Sequence, residues 1–242
     1  MLNQIFVEDC LSTMSRMEND SVDLIVTSPP YNKVGLSGGS KSNQIWRKFT
    51  IDYDLYGDDR SESEYQDWLV EVLDEMYRVI KPSGSIFFNH KPRRANNRCY
   101  LPTDFLARAK ATLYQLIVWD RRNSPNIRND ILVPSTEHIY WLSKDKPKTF
   151  RDAVSKQFRS EVWVIPASRQ DDHPAPFPEQ LVRNCLDLTT ERNDVVYDPF
   201  MGSGTTAKVC VEFGRGFIGS EISPQYAAIA RQRIACVTPT LW

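Results

Sequence analysis

Short apolar segments alternate with amphipathic segments along the chain, and this alternation predicts an α/β fold. Apolar runs of four to six residues are typical of buried strands, whereas apolar residues at positions i, i+3 and i+4 indicate helices. Strands and helices in alternation form a mostly parallel sheet with helices on both faces. The predicted strands are Gln4–Val7, Val22–Val26, Ser85–Phe88, Leu116–Trp119, His138–Leu142, Val195–Tyr197 and a stretch that begins at Phe217–Ile218.

The longest predicted helix has clear signals at both ends. Ser61 and Glu64 have the spacing of a capping box, and apolar residues then recur at helical spacing as far as Ile80. Lys81–Gly84 contains proline and glycine and predicts the end of this helix. The other predicted helices are Leu11–Met17, Thr205–Phe213 and one that begins at Pro224.

Composition narrows the class of protein without identifying a function. The 242 residues are 41% hydrophobic and 25% charged, with a formal net charge of −1, so any surface that binds a polyanion must be local. The five cysteines show no CxxC or Cys/His spacing, so neither a disulfide framework nor a metal site is indicated. The first ten residues lack the pattern of a signal peptide, and no stretch reaches membrane-spanning length. We therefore expect a cytoplasmic protein with no membrane partner.

The segment VVYDPFMGSGTTA has the order strand, turn, helix of a ligand-binding loop. Gly202 and Gly204 permit a tight turn and close approach to a ligand, and the helix start offers unpaired N–H groups. No Gly-Lys-Ser/Thr follows, and the third glycine of a dinucleotide fingerprint is missing. Glu221, just past the next strand, can accept both hydroxyls of a ribose. With Asp198 in front, the loop indicates an adenosine-type ligand without a pyrophosphate, such as S-adenosylmethionine.

The segment TSPPYN follows the strand Val22–Val26 and raises a separate question of chemistry. If this strand and Val195–Tyr197 are parallel neighbours, both motifs lie at the same edge of the sheet. The Ser28 hydroxyl and a backbone carbonyl can then accept hydrogen bonds from an exocyclic amino group, while the prolines fix the backbone. Tyr31 can stack on the base that carries this amine. Such a site suits direct methyl transfer to an amino nitrogen.

The motifs TSPPY, DPFMGSGTT and HPAPFPEQL together resemble those of the DNA amino-methyltransferases, the cytosine-N4 and adenine-N6 enzymes. Their order, with the catalytic motif first and the cofactor loop last, is similar to the permuted β group of that family. The resemblance covers nearly the whole chain and implies a circularly permuted, Rossmann-like fold. It also implies S-adenosylmethionine as cofactor and a flipped base in double-stranded DNA as substrate. We expect one domain over residues 1–242, with a target-recognition insert at about residues 91–172.

The family's site residues carry over to the matching positions of this chain. Capping of a helix is an alternative role for Asp9, and packing of a loop is an alternative role for His173. The catalytic residues implied by the resemblance are Ser28, Pro29, Pro30 and Tyr31. The implied cofactor-binding residues are Asp9, Asp198, Phe200, Gly202, Ser203, Gly204, Thr205 and Glu221, with His173, Pro174 and Pro178 closing over the methionine end.

The identity of the substrate is less constrained than the site. In this family a serine at the position of Ser28 goes more often with cytosine N4, and an aspartate with adenine N6. Alternative functions are methylation of RNA or of a protein glutamine, and a non-catalytic binding subunit. The sequence is compatible with a monomer or a homodimer, and with a partner restriction endonuclease. Candidate DNA contacts are two basic clusters, which are otherwise solvated loops: Lys91, Arg93, Arg94 and Arg98, and Arg121, Arg122 and Arg128.

Overall fold

The computed structural model describes residues 1–32, 60–95, 97–122, 131–166 and 178–238, and these residues contain ten strands and six α-helices. The strands are β1 (Gln4–Phe6), β2 (Val22–Thr27), β3 (Ile80–His90), β4 (Arg93–Ala95), β5 (Arg98–Tyr100), β6 (Thr112–Asp120), β7 (Thr136–Ser143), β8 (Val162–Val164), β9 (Val195–Asp198) and β10 (Gly216–Ser220). The helices are α1 (Cys10–Met14), α2 (Glu62–Val79), α3 (Thr103–Leu106), α4 (Glu179–Thr189), α5 (Thr205–Glu212) and α6 (Pro224–Ala235).

Eight of the strands form one mostly parallel sheet, as the sequence predicts. Their order is β1-β10-β9-β2-β3-β7-β6-β8, and β4 and β5 form a separate hairpin. The pairs from β1 to β3 are parallel, β7 is antiparallel to both of its neighbours, and β8 is parallel to β6. The late strands β9 and β10 lie between the early strands β1 and β2, which is the arrangement expected of a circular permutation.

Successive side chains of the strands point to opposite faces of the sheet and belong to two separate hydrophobic cores. Leu24 and Val26 of β2 lie in the core that α4, α5 and α6 cover. Ile25, between them, lies in the core that α1, α2 and α3 cover. Since successive residues of a strand point to opposite faces, the sheet is buried on both sides, and the fold has three layers.

The helix α2 begins as its sequence predicts but is followed by a strand sooner than expected. Its capping box is complete, with the Ser61 amide donating to Glu64 Oε2 (2.9 Å) and the Glu64 amide donating to Ser61 Oγ (3.4 Å). The predicted stop signal Lys81–Gly84 is instead the first part of β3, which starts at Ile80. A register shift opposite Val22 accommodates this proline-containing stretch, which explains the difference.

The predicted recognition insert, residues 91–172, is not a separate unit where the structure describes it. It supplies β6, β7 and β8 to the main sheet, and only the β4–β5 hairpin, α3 and two 3-10 turns lie outside. The sequence predicted two of these three strands, β6 and β7, but did not predict β8. The role of residues 91–172 in target recognition stays a prediction. None of the described helices has the length and apolar character needed to cross a membrane.

The strands β9 and β2 mark the point where the chain changes direction across the sheet. From β9, α5 leads to β10 on one side, and from β2, α2 leads to β3 on the other side. Ligands of open α/β sheets bind at such a point, beyond the carboxyl ends of the strands. TSPPYN continues from β2 and DPFMGSG from β9, so both motifs lie where this rule places a ligand.

Candidate active site

A buried hydrogen bond joins the two sequence motifs at their strand ends. Thr27 is the last residue of β2, and its hydroxyl donates to Asp198 Oδ1, in the last residue of β9, at 2.7 Å. The strands are parallel neighbours, with Ile25 opposite Tyr197. The predicted meeting of Ser28 and the glycine loop at one edge of the sheet is therefore present in the structure.

Asp198 holds the glycine loop together from inside. Its carboxylate also accepts hydrogen bonds from the Thr206 hydroxyl at 2.7 Å and the Phe200 amide at 3.0 Å. Burial raises the pKa of Asp198 to about 6, and the bonds from Thr206, Thr27 and Phe200 oppose that rise. Because all these donors belong to the chain, the carboxylate fixes the path of the loop from β9 into α5.

The two glycines of the loop meet different structural needs. Gly202 has φ of +53°, and its amide donates to Glu221 Oε2 at 2.7 Å. Gly204 has φ of +84°, and a Cβ there would lie 2.6 Å from the Cβ of Ala230 in α6. Ser203 between them accepts bonds from Arg233 through its carbonyl (2.7 Å) and its hydroxyl (2.9 Å). The loop is thus fixed against α6, and Thr205 behind it opens α5.

The acidic side chains at the next strand ends extend this site. Glu221 is buried directly after β10, where the Gly202 and Ser223 amides donate to its two carboxylate oxygens. Its own amide donates to the Phe6 carbonyl of β1 at 3.0 Å, so the ends of β10 and β1 lie side by side. Asp9, just beyond β1, caps α1 by accepting from the Leu11 amide at 2.8 Å. The alternative role of Asp9 as a helix cap is confirmed, and its contact with a cofactor stays a prediction.

Ser28 is the first member of a chain of hydrogen bonds that leads into the protein. Its Oγ lies 2.8 Å from the Tyr31 hydroxyl, which donates to Glu137 Oε2 at 3.2 Å. Asn89 Nδ2 donates to both the Tyr31 hydroxyl (3.0 Å) and Glu137 Oε2 (2.8 Å). Arg121 pairs with the other oxygen, Glu137 Oε1, at 2.8 Å. Burial, followed by the charge of Glu137, raises the pKa of Tyr31 well above its usual value, so the phenol stays neutral.

The helix α2 supports the Pro-Pro turn from beneath. The Tyr65 hydroxyl lies 2.7 Å from the Pro30 carbonyl and 3.0 Å from His90 Nε2. Burial lowers the pKa of His90 to about 3, so this imidazole is neutral. His90 Nδ1 lies 2.8 Å from the Lys91 carbonyl, which can only accept, so Nδ1 carries the hydrogen and Nε2 accepts. The Tyr65 hydroxyl hydrogen is therefore shared between two acceptors, the Pro30 carbonyl within TSPPYN and His90 Nε2.

The aromatic rings around this site link it to the cofactor loop and to one predicted DNA contact. The ring of Phe200 packs edge-on against Trp68 of α2, with 5.6 Å between centroids. The ring of Tyr31 packs against His90, with 4.9 Å between centroids. The ammonium of Lys91 lies 4.9 Å from the centroid of the Tyr31 ring, so Lys91 contacts the TSPPYN motif itself.

The structure divides the predicted basic clusters into paired and exposed members. Arg93 forms a buried ion pair with Glu62 at 2.6 Å, and Arg121 forms one with Glu137 at 2.8 Å. A carboxylate pairs with each of these two guanidinium groups, and their contact with DNA stays a prediction. The exposed members are Arg94, Arg98 and Arg122.

Three predicted site residues, Arg128, His173 and Pro174, lie outside the described residues. Pro178 is described and buried, as the residue before the first turn of α4. The sequence did not point to Glu137, Asn89 or Tyr65, which surround Ser28 and Tyr31 in space. An isolated acid before the apolar run of β7 was the only signal for Glu137, and only the pairing of β7 with β3 brings it to the site.

Comparison with known proteins places these motifs in a family. The family described as DNA methylase matches residues 22–232. The Type II methyltransferase M.BglII of Bacillus subtilis is 30% identical over 96% of this chain and 68% of its own length. The solved PvuII DNA methyltransferase, cytosine-N4-specific, has a TM-score of 0.79 at 20% identity, covering 99% of this chain and 88% of that one. A putative DNA modification methylase of Thermus thermophilus, solved with S-adenosyl-L-methionine, has a TM-score of 0.70 at 24% identity, covering 96% and 93%. The chain belongs to the DNA methylase family that comprises N6 and N4 methyltransferases.

Proposed function

We propose that this protein transfers a methyl group from S-adenosylmethionine to the N4 amino group of a cytosine in double-stranded DNA. The observation that carries the proposal is the hydrogen bond between Thr27 and Asp198, which sets Ser28 and the glycine loop on adjacent strand ends. A catalytic acceptor and a cofactor loop at one point of the sheet are the two parts that a methyl transfer needs.

The residues at the ends of β9 and β10 fit S-adenosylmethionine. Glu221 is held by two backbone amides at the end of β10, where a carboxylate can accept the hydroxyls of a ribose. The Gly202 bend lets the backbone approach a ligand closely, and α5 begins directly behind it. Relatives solved with S-adenosylmethionine support this choice of cofactor.

The chemistry assigned to this chain is positioning and polarisation. When bound, S-adenosylmethionine supplies an electrophilic methyl group on its sulfur. Ser28 Oγ accepts a hydrogen bond from the target amine, whose lone pair is otherwise withdrawn into the ring, and so raises its electron density. The contact of Tyr65 with Pro30 holds the Pro-Pro turn, and with it Ser28, in place, so a bound amine would be kept in one orientation. The new N–C bond would form as the S–C bond of the cofactor breaks, with S-adenosylhomocysteine as the leaving group, and the methylated amine would release one proton to solvent. No covalent intermediate with the chain is needed.

Ser28 also supports cytosine over adenine as the target. A neutral hydroxyl polarises an amine less than a carboxylate does, and the PvuII enzyme of similar fold is named as cytosine-N4-specific. The other relatives' names do not state the base. Incubation of the purified chain with duplex DNA and methyl-labelled cofactor, followed by digestion to nucleosides, tests this choice. We expect label in N4-methylcytosine, and label in N6-methyladenine alone would reverse the assignment of the base.

The proposed DNA surface is the exposed part of the basic clusters. Lys91, which contacts the Tyr31 ring, leads into the β4–β5 hairpin with Arg94 and Arg98, and Arg122 follows β6. The base must leave the duplex to reach Tyr31, at a cost of roughly a few kcal/mol that phosphate contacts offset. Relatives named as Type II methyltransferases support a modification role beside a restriction endonuclease.

The same assay separates the rival functions. If the label appeared in RNA or in a glutamine-containing peptide, and not in duplex DNA, the substrate would be that molecule instead of DNA. Absence of transfer to every acceptor, together with normal binding of the cofactor, would indicate a non-catalytic subunit.

A further inference from the structure

We infer that Glu137 is a positioning residue that makes Ser28 a hydrogen-bond acceptor towards the target amine, acting through Tyr31. This inference rests on the proposed function, because it concerns the orientation of the hydroxyl that receives the amine. Glu137 is the second residue of β7, far from TSPPYN in the sequence, and is 5% exposed.

The direction of the hydrogen bonds follows from counting hydrogens. The Tyr31 hydroxyl has one hydrogen, and Glu137 Oε2, a carboxylate oxygen, can only accept it. With that hydrogen committed, the Tyr31 oxygen can only accept from Ser28 Oγ, 2.8 Å away. Ser28 must therefore donate its own hydrogen to Tyr31, and only the lone pairs of Ser28 remain for a substrate. An amine presented to Ser28 then donates its hydrogen rather than having its nitrogen lone pair engaged.

Two neighbouring residues keep Glu137 in the orientation that the hydrogen bonds to Tyr31 and Ser28 require. Arg121 donates to Oε1 at 2.8 Å, which leaves Oε2 for Tyr31. Asn89 Nδ2 donates to Oε2 and to the Tyr31 oxygen together, so the amide reinforces the same direction at two points. Asn89 is 2% exposed, so water does not readily compete with these bonds. We therefore assign to Arg121 the role of pairing with Glu137 within the protein.

The substitution Glu137→Gln tests the direction of these hydrogen bonds with little change in the shape of the side chain. If the oxygen of the new amide stays with Arg121, its NH₂ faces Tyr31 and donates to it. The Tyr31 hydrogen then turns towards Ser28 Oγ and occupies the lone pair that the amine needs. We expect the single-turnover rate of methyl transfer to fall about 10- to 100-fold, while the dissociation constants for cofactor and DNA change by less than about 3-fold.

Matched variants separate this role from a structural one. Glu161→Gln makes the same change on an exposed glutamate next to β8 and should leave the rate unaltered. Glu137→Asp keeps an acceptor and should recover part of the rate that Glu137→Gln loses. In a Tyr31→Phe background the series of hydrogen bonds from Glu137 to Ser28 is already interrupted. Adding Glu137→Gln should therefore lower the transfer rate by less than about 3-fold further.

Two results would overturn the inference. One is a Glu137→Gln variant with the wild-type rate. The other is a rate loss that multiplies fully with that of Tyr31→Phe and comes with a lower melting temperature, since that would mark a structural ion pair. Failure of the proposed function is distinguishable, because then the wild-type chain itself would not methylate DNA.

Discussion

Thr27 and Asp198 are 171 positions apart in the chain and share a buried hydrogen bond of 2.7 Å. The first residue precedes Ser28 and the second opens the glycine loop. Their contact shows that a motif near the start of the chain and a motif near its end form one site. The circular permutation is what separates them in sequence and not in space.

The variant Thr27→Val removes this bond while keeping the shape of the side chain. It leaves Asp198 Oδ1 with one donor fewer in a buried position, so the free energy of unfolding should fall by about 1–3 kcal/mol. Cofactor affinity should fall with it, because Asp198 fixes the loop. Denaturant unfolding and equilibrium binding measure both, and Thr112→Val, on an exposed threonine of β6, is the control. Equal behaviour of the two variants would contradict the structural link.

Asp198 should make stability depend on pH between about 4 and 7. Its pKa rises from 3.8 to about 6 on burial, so the folded protein binds this proton more tightly than the unfolded chain does. The resulting stabilisation is complete below about pH 4 and is lost as the pH rises through 6, a change of roughly 3 kcal/mol. Asp198→Asn cannot titrate, so the stability of the wild type minus that of this variant should decrease across the window. A constant difference would show that the pKa is not raised.

Alanine substitutions at Gly204 and Gly214 distinguish the effect of backbone strain from the effect of close packing. Both have positive φ, +84° and +67°, but only Gly204 would bring a Cβ within 2.6 Å of Ala230, whereas the Gly214 Cβ would meet the flexible Arg192 side chain at 3.3 Å. Gly204→Ala should therefore destabilise the protein by at least about 2 kcal/mol more than Gly214→Ala. Adding Ala230→Gly should recover part of this loss. Thermal unfolding of these three variants measures the difference, and equal losses at the two glycines would exclude the packing argument.

The hydroxyl of Tyr65 should matter for catalysis more than for folding. Tyr65→Phe removes the bonds to Pro30 and His90 but keeps the ring in its core. We expect a loss of about 1 kcal/mol in stability and a decrease of roughly 10-fold in the transfer rate, because the Pro-Pro turn loses its support. Tyr114→Phe, on a half-exposed ring, is the control. A wild-type rate in Tyr65→Phe would show that the turn is rigid without this support.

The basic residues should divide into two groups by their salt dependence. Arg94→Ala and Arg98→Ala should weaken DNA binding at all sequences and reduce the slope of log K against log salt by about 1 each. Arg93→Ala should instead lower stability, because it leaves Glu62 without its buried partner. Filter binding over a range of salt concentrations, with unfolding measured in parallel, tests the division. An unchanged slope in both exposed variants would remove the hairpin from the proposed interface.

The sequence was sufficient for the parts of the fold that depend on local pattern. The apolar run of β2, the Ser61–Glu64 cap and the glycine bend after β9 are all marked within a few residues. The start of β3 was missed because a register shift near Val22, a property of the pairing, admits proline into the strand. The surroundings of Ser28 were missed for a related reason. Asn89 reaches the site through the parallel pairing of β3 with β2, and Glu137 through the antiparallel pairing of β7 with β3. No local pattern encodes either pairing.

Single-turnover transfer of a labelled methyl group to duplex DNA by Ser28→Ala tests the central claim most directly. The account predicts that cofactor affinity stays within about 3-fold of the wild type, because the glycine loop is untouched, while the transfer rate falls about 100-fold. A Ser28→Ala variant that methylates DNA at the wild-type rate would contradict the claim that the amine is held at the end of β2, beside the cofactor loop.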